Sequence, residues 1–247
     1  MPTKSVFITG AGGGIGRALC SAFSADGWKV IATDQFEPDE LRCDAFVHMN
    51  LHRLCDDDGY RRRSLESLLS LVGNAPMHAL VNNAAAQIIA PIEQLSVDDW
   101  RKTMNVNVLA PFLLGRTFLP LLALERGAIV NMASIHARLT KPGFAAYASS
   151  KAALVGLTRS MAVELGGRVR VNALCPAAID TEMLRQGFAD SQPGLQELSD
   201  YHPSKSIGDP AEVAKIVLCL ADPDFRFLHG AVIGLDGGIA ARLHDPD

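Results

Sequence analysis

Tyr147 and Lys151 stand four apart in Tyr147-Ala148-Ser149-Ser150-Lys151, inside a strong helical pattern. That spacing puts both side chains on one helix face, a turn apart. The chemistry such a pair offers is proton transfer. A tyrosine with an ordinary pKa near 10 is a poor general base at neutral pH, and an adjacent ammonium favours its phenolate. Taken alone, a Tyr-x-x-x-Lys pair is commonplace on surface helices, so its meaning depends on what the rest of the chain brings to it.

A second constellation lies at the start of the chain. Thr9-Gly10-Ala11-Gly12-Gly13-Gly14-Ile15-Gly16 follows a strand pattern and opens a helix pattern. Glycine is required where the chain turns with positive φ, or where a Cβ would collide with a pyrophosphate. A helix beginning near Gly14 aims its free N–H groups and positive dipole end at phosphates. Eighteen residues after Gly16, at the end of the second strand pattern, stands Asp34. A carboxylate there accepts hydrogen bonds from both hydroxyls of an adenosine ribose and repels a 2′-phosphate. Neither Gln35 nor Ala11 supplies a compensating cation. The expected cofactor is therefore NAD(H), in preference to NADP(H). An oxidised nicotinamide would place a second positive charge beside Tyr147. Lowering a phenol by about three pKa units takes roughly 4 kcal/mol of differential stabilisation, a reasonable yield from two cations in a partly desolvated site.

The elements that must hold these groups are legible as an alternation. Strand patterns are Val6–Thr9, Lys29–Thr33, Ala45–Met49, Ala79–Asn82, Ala128–Met132, Arg170–Leu174 and Ala231–Leu235. Most are apolar throughout, as strands covered on both faces are. Between them lie helix patterns at Gly14–Asp26, Gly59–Val72, Val97–Leu124, Ala145–Leu165 and Ala211–Ala221, the last with Asp209 as N-cap and Pro210 at its first position. The alternation predicts an α/β fold of Rossmann type: a doubly wound, parallel, seven-stranded sheet with helices on both faces, in one domain over residues 1–247. From Asp180 to Gly208 the rhythm breaks, and Pro193, Gly194 and Pro203 interrupt the helical pattern. This stretch, about residues 180–208, is expected to be a substrate-binding loop or lid, with a pair of surface helices as the alternative.

Bulk properties narrow the function classes. The chain has 247 residues, 48% hydrophobic and 20% charged, within the reach of one α/β core. A formal charge of −4 gives no reason to expect nucleic acid or an anionic membrane as partner. The one basic run, Arg61-Arg62-Arg63, sits beside Asp56-Asp57-Asp58 and reads as a solvated helix face. Five cysteines without a C-x-x-C suit a reducing compartment, and neither a metal site nor a catalytic thiol is expected. A strand pattern begins at once, with no secretory signal, and no apolar run is expected to span a membrane. The expected location is the cytoplasm.

Taken together the motifs carry a resemblance. Thr9-Gly10-x-x-x-Gly14-x-Gly16, Asn82-Asn83-Ala84, Asn107, Ser134, Tyr147-x-x-x-Lys151 and the turn at Pro176 stand in the order and spacing of the classical short-chain dehydrogenases/reductases, from Thr9 to Leu235-Asp236-Gly237-Gly238. The resemblance implies an oxidoreductase interconverting a secondary alcohol and a ketone. In its terms Tyr147 exchanges a proton with the substrate oxygen, and Lys151 lowers the tyrosine pKa and holds the nicotinamide ribose. Ser134 hydrogen-bonds the substrate oxygen, and Asn107 holds a water linking the lysine to solvent; Asn107 is preferred to Asn105 because it follows Trp100 by seven residues. Hydride transfer leaves charge on a carbonyl oxygen, so two donors beside that oxygen also make chemical sense. The implied cofactor-binding set is Gly10, Gly12, Gly13, Gly14, Ile15, Gly16, Asp34, Asn50, Leu51, Asn83, Ala84, Ala85, Tyr147, Lys151, Pro176, Ile179 and Thr181. The resemblance also implies a homotetramer (or homodimer), with Val97–Leu124 and Ala145–Leu165 packing across one interface and the C-terminal strand region across another.

Three positions depart from that pattern: Ala85 and Ala177 stand where glycine is usual, and Asn50 stands where relatives carry an adenine-contacting aspartate. None removes a proton-transfer group. The substrate is a small molecule, with pocket candidates Ser134, His136, Arg138 and Phe144, joined by Ala86, Gln87 and the stretch from Ala178 to Ser206. His136 offers a hydrogen bond to a polar substrate or a satisfied structural imidazole, and Arg138 a substrate-anion partner or an exposed charge. Competing readings are an NADPH-dependent 3-oxoacyl thioester reductase, a non-catalytic NAD(H)-sensing regulator, and an epimerase or dehydratase of the extended relatives. Asp34 speaks against the first, the intact Ser134, Tyr147 and Lys151 against the second, and the short C-terminal region against the third.

Overall fold

Apolar strands flanked by helices on both sides leave few arrangements, and the chain adopts the parallel one. The computed structural model describes residues 3–188 and 192–243. Seven strands, β1 (Ser5–Thr9), β2 (Lys29–Asp34), β3 (Ala45–His48), β4 (Ala79–Asn82), β5 (Ala128–Met132), β6 (Arg170–Pro176) and β7 (Val232–Leu235), form one sheet in the order β3-β2-β1-β4-β5-β6-β7. All six pairings are parallel. The order reverses direction between β1 and β4, the switch point at whose carboxyl end sheets of this kind form their ligand crevice.

Alternate side chains of each strand enter opposite cores. Val6, Ile8, Val30, Ala32, Val81 and Val130 pack under α1 (Gly14–Ala25) and α9 (Pro210–Ala221). Phe7, Ile31, Leu80, Ile129 and Val171 face α3 (Asp58–Val72), α5 (Ala110–Leu122) and α6 (Ala145–Leu165). Phe7 and Phe118 meet with ring centroids 5.1 Å apart at the centre of that second core, where truncation of either to alanine would cost about 3–5 kcal/mol. Asp209 caps α9 by accepting from the Ala211 N–H, as its position before Pro210 predicts.

The helices differ from expectation in three places. The run Val97–Leu124 is not one helix: α4 (Val97–Met104) passes through a π-helical turn at Asn105–Leu109 into α5, which ends at Leu122. Pro111 supplies the cause, since it has no N–H to donate to the Asn107 carbonyl four residues back. A short helix unforeseen in the sequence, α2 (Leu51–Asp56), follows β3. The 180–208 stretch carries two helices, α7 (Glu182–Gln186) and α8 (Gln192–Tyr201), the alternative to an irregular loop. Pro193 and Gly194 do not interrupt a helix there but lie in the first turn of α8, where a missing N–H costs nothing. Residues 189–191 of that stretch lie outside the described residues. A parallel bridge between Ile179 and Gly208 closes its base.

One expectation needs correction. Val97–Leu122 is, by length and composition, apolar enough to cross a membrane. Its apolarity has a local reason, because Ala110, Leu114, Phe118 and Leu122 are buried against the sheet.

Candidate active site

The carboxyl end of β5 and the start of α6 bring the proton-transfer groups together. Ser134 follows β5 in extended conformation, and its Oγ accepts from the His136 N–H at 3.2 Å, which caps the 3-10 turn Ile135–Ala137. Near it, in the first turn of α6, stands the phenol of Tyr147, whose ionised form the Ser134 hydroxyl favours. One turn on, Lys151 is fully buried; its Nζ lies 5.5 Å from the Tyr147 ring centroid and donates to the Met132 carbonyl at 2.7 Å. Burial pushes the Lys151 amine down to about 8. Burial also raises the Tyr147 phenol, while the Ser134 hydroxyl pulls it the other way. The protein alone therefore does not produce the lowered tyrosine pKa expected from the Tyr-Lys spacing. Desolvation of the phenol prevails, and the amine reaches the ring rather than a bond to the hydroxyl.

Asn107 sits in the π-helical turn, buried, with its carboxamide fully engaged. Its Oδ1 accepts from the Ala86 N–H at 2.7 Å, and its Nδ2 donates to the Ala86 carbonyl and to Ser150 Oγ. Ser150 in turn donates to the Tyr147 carbonyl. The side chain of Asn107 thus positions the loop after β4 and the first turn of α6, and Pro111 deprives its backbone carbonyl of an α-helical donor. Ser150 was missed in the sequence, where nothing distinguishes it from Ser149.

At the other end of the crevice the glycine turn is braced from three sides. Thr9 Oγ1 accepts from the N–H groups of Asn83 and Ala84, and Asn83 Nδ2 donates to the carbonyls of Thr9 and Gly10. Gly10 has φ +67°, and a Cβ on it would lie 2.6 Å from Ala84 Cα. A Cβ on Gly16 would lie 2.1 Å from the Gly10 carbonyl oxygen. These two glycines are thus demanded by the protein's own packing, beyond any ligand. Asp34 Oδ2 accepts from the Gly12 N–H at 2.9 Å and its Oδ1 from the Gln35 N–H at 2.7 Å, fixing the carboxylate at the rim of the turn. Arg17, a cation the sequence analysis passes over, donates to the Gly12 and Asp39 carbonyls. Thr181 lies over Gly14, and its hydroxyl caps α7.

Other candidates are more committed than their sequence positions reveal. Asn50 is the N-cap of α2, its Oδ1 accepting from the Arg53 N–H, and the Leu51 side chain is core. Each faces a ligand, if at all, through Asn50 Nδ2 or the backbone. Ile179 is buried and paired with Gly208, Pro176 ends β6, and Ala85 is exposed. His136 and Phe144 join the tyrosine: their rings stack at 4.4 Å, and His136 meets Tyr147 edge-on at 5.6 Å. Arg138 does not join them; it is exposed, with no side-chain partner among the described residues.

Comparison with known proteins bears on the whole arrangement. A family model described as enoyl-(acyl carrier protein) reductase matches residues 10–240. Meso-2,3-butanediol dehydrogenase of Serratia marcescens is 32% identical over 250 residues, covering 98% of this chain and 97% of the relative. The chain belongs to the short-chain dehydrogenase/reductase family. Among solved structures of the family, ligand-free aldohexose dehydrogenase of Thermoplasma acidophilum superposes with a TM-score of 0.89 at 31% identity, covering 99% of this chain and 98% of that one. A 4-hydroxyisoleucine dehydrogenase complexed with NADH does so with a TM-score of 0.86 at 29% identity, covering 98% and 100%.

The short-chain dehydrogenase/reductase fold binds nicotinamide dinucleotides, and the residues present fit one. The first N–H groups of α1 have no side-chain cap, because the N-cap is Gly13. No acidic residue occupies that first turn. Free donors at a positive dipole end are what a pyrophosphate requires. When bound, the dinucleotide supplies the hydride acceptor or donor; the chain supplies a phosphate cradle, a ribose-facing carboxylate and a hydroxyl pair for the reacting oxygen.

Proposed function

We propose that this chain is an NAD(H)-dependent dehydrogenase that interconverts a secondary alcohol and a ketone. The observation that carries this reading is the assembly of Ser134, Tyr147 and buried Lys151 at the same sheet edge as the uncapped turn at Gly13. In oxidation the substrate loses its hydroxyl proton to the Tyr147 phenolate and a carbon-bound hydride to the nucleotide, leaving a ketone; reduction reverses both transfers. Ser134 steadies the charge that forms on the oxygen. Lys151 is held by Met132 beside the Tyr147 ring, and the positive charge of a bound oxidised nicotinamide would add what the amine alone does not supply to favour the phenolate.

Asp34 supports NAD(H) over NADP(H), since its carboxylate is fixed where a 2′-phosphate would suffer repulsion. Arg17 weighs the other way, but its guanidinium is already donating to two backbone carbonyls. Relatives named for 2,3-butanediol, an aldohexose and 4-hydroxyisoleucine support a small polar alcohol as substrate. We place the enzyme in the cytoplasm, where its five free cysteines would stay reduced, and assign it a homotetrameric assembly.

The test is a panel of polyols, hydroxy acids, steroids and cyclic alcohols, followed at the NADH absorbance band with each nucleotide. The expected outcome is turnover with kcat/KM at least about tenfold higher for NAD than for NADP. Tyr147→Phe should lower kcat by about a hundredfold or more while NADH affinity stays within about twofold. An active Tyr147→Phe enzyme removes the proton-transfer role, and a preference for NADP removes the cofactor assignment.

A further inference from the structure

A ring nitrogen without a protein partner among the described residues is common in this chain, as at His52, His78 and His202, while one histidine uses both. His229 accepts from the Val171 N–H at Nδ1 and reaches the Ala162 carbonyl from Nε2 at 2.7 Å. His136 is set apart from these by its neighbours, the reacting tyrosine among them. Its Nδ1 bonds Thr140 Oγ1 at 3.0 Å, and its Nε2 has no protein partner among the described residues. The ring is nonetheless held on two sides, stacked on Phe144 and edge-on to Tyr147, while the His136 backbone N–H bonds Ser134 Oγ. An imidazole packed against the ring of the reacting tyrosine, with one nitrogen left over, has the form of a ligand contact.

We propose that His136 is a specificity-determining residue whose Nε2 hydrogen-bonds a second oxygen of the substrate, on the carbon next to the reacting one, so that the preferred substrates are neutral vicinal diols and their α-hydroxyketones. The inference rests on the dehydrogenase reading above and names the substrate class for the same site. In the oxidative direction the diol loses one hydroxyl proton to Tyr147 and one hydride to NAD; the carbon–hydrogen and oxygen–hydrogen bonds break, a carbonyl forms, and the neighbouring hydroxyl stays on His136.

The charge balance around the ring favours a neutral partner. Burial, with Lys141 adding to it, holds His136 below the ordinary imidazole range, so it is neutral at pH 7. Whichever tautomer Thr140 selects, Nε2 then offers one donor or one acceptor, and a substrate hydroxyl answers either. A carboxylate would demand a cation. Lys141 lies over the Phe144 ring at 5.1 Å from its centroid, and Arg138 is exposed and does not join the cluster. The rest of this wall is aromatic, so a polar substrate oxygen pressed against it without His136 would lose its hydration unrewarded.

The experiment compares 2,3-butanediol with 2-butanol, which share a carbon skeleton, using NAD. Wild-type enzyme is expected to show kcat/KM at least about tenfold higher for the diol. His136→Phe keeps the stacking on Phe144 and removes the nitrogen; it should bring the diol-to-monool ratio to about one, chiefly through KM for the diol. His136→Gln retains a side-chain donor and should recover part of the ratio. NADH binding by each variant checks that the fold survives. A wild-type enzyme that turns over both alcohols equally, or a His136→Phe enzyme that keeps the diol preference, overturns this inference alone. If wild-type protein reduces NAD with no alcohol of any class, the dehydrogenase reading falls and takes this one with it.

Discussion

Enclosing an ammonium costs stability unless the fold compensates it, and Lys151 has the Met132 carbonyl as its hydrogen-bond partner. Its pKa falls from 10.5 to about 8 on folding. Between those values the unfolded chain binds more protons than the folded one, so stability rises with pH across that window. Below pH 8 the penalty is present in full, about 3 kcal/mol for the whole displacement. Lys151→Met removes the charge with little change of length and forfeits one hydrogen bond of about 1 kcal/mol. The nucleotide-free variant should therefore melt a few degrees higher than wild type at pH 7, with the gap closing toward pH 10, while activity is lost. A variant melting lower at pH 7 would mean that the amine stabilises the fold. At this scale the sequence is most readable where chemistry is local: Tyr147 and Lys151 share a helix turn, and Ser134 ends a strand. It is least readable for carboxamides. Asn50, Asn83 and Asn107 are each adjacent in space to backbone groups that only folding brings to them, and Asn83 and Asn107 find theirs in other elements.

Elements show why a glycine-rich turn means more than its composition. Gly16→Ala would drive a Cβ to 2.1 Å from a backbone oxygen and 2.7 Å from Ala11 Cα, neither of which is able to yield. The expected loss is about 3 kcal/mol or more in thermal or denaturant unfolding. Gly14→Ala meets the Thr181 side chain at 2.9 Å instead, at the root of α7. That neighbour can shift, so stability should fall by only about 1 kcal/mol while KM for NAD rises several-fold as Thr181 is displaced from the cradle. If the two variants lose stability equally, the distinction between a packing glycine and a ligand-side glycine is wrong. The strands were legible because double burial leaves an apolar run, and their bounds shift by at most two residues. The π-helical turn was not, because its cause is a pair, Asn107 and Pro111, inside a pattern that is helical on either side. In the 180–208 stretch Pro193 and Gly194, which mark a helix start as readily as a break, left a loop and a helix pair both open.

Across the whole molecule, alternation of strands and helices was enough to give a doubly wound sheet and hence the crevice, since right-handed crossovers leave few alternatives. It does not say which outer faces stay dry. The α4–α5 run exposes Val97, Trp100, Leu109 and Phe112, although its other side fills a core. A second apolar group, Phe225, Phe227 and Leu243, flanks β7, with Phe227 fully exposed. Solvated apolar surface of this kind marks association. The homotetramer proposed above would use both groups as independent isologous contacts, the requirement for dihedral symmetry. Light scattering should accordingly return about four times the chain mass of 26.4 kDa. Phe112→Glu and Phe227→Asp should each leave dimers, joined through the patch that remains, and the double variant should run as monomer with its sheet intact by circular dichroism. Because each patch acts alone, a single substitution that releases monomers directly would show one interface where two are required, and a wild-type peak at the mass of one chain would remove both.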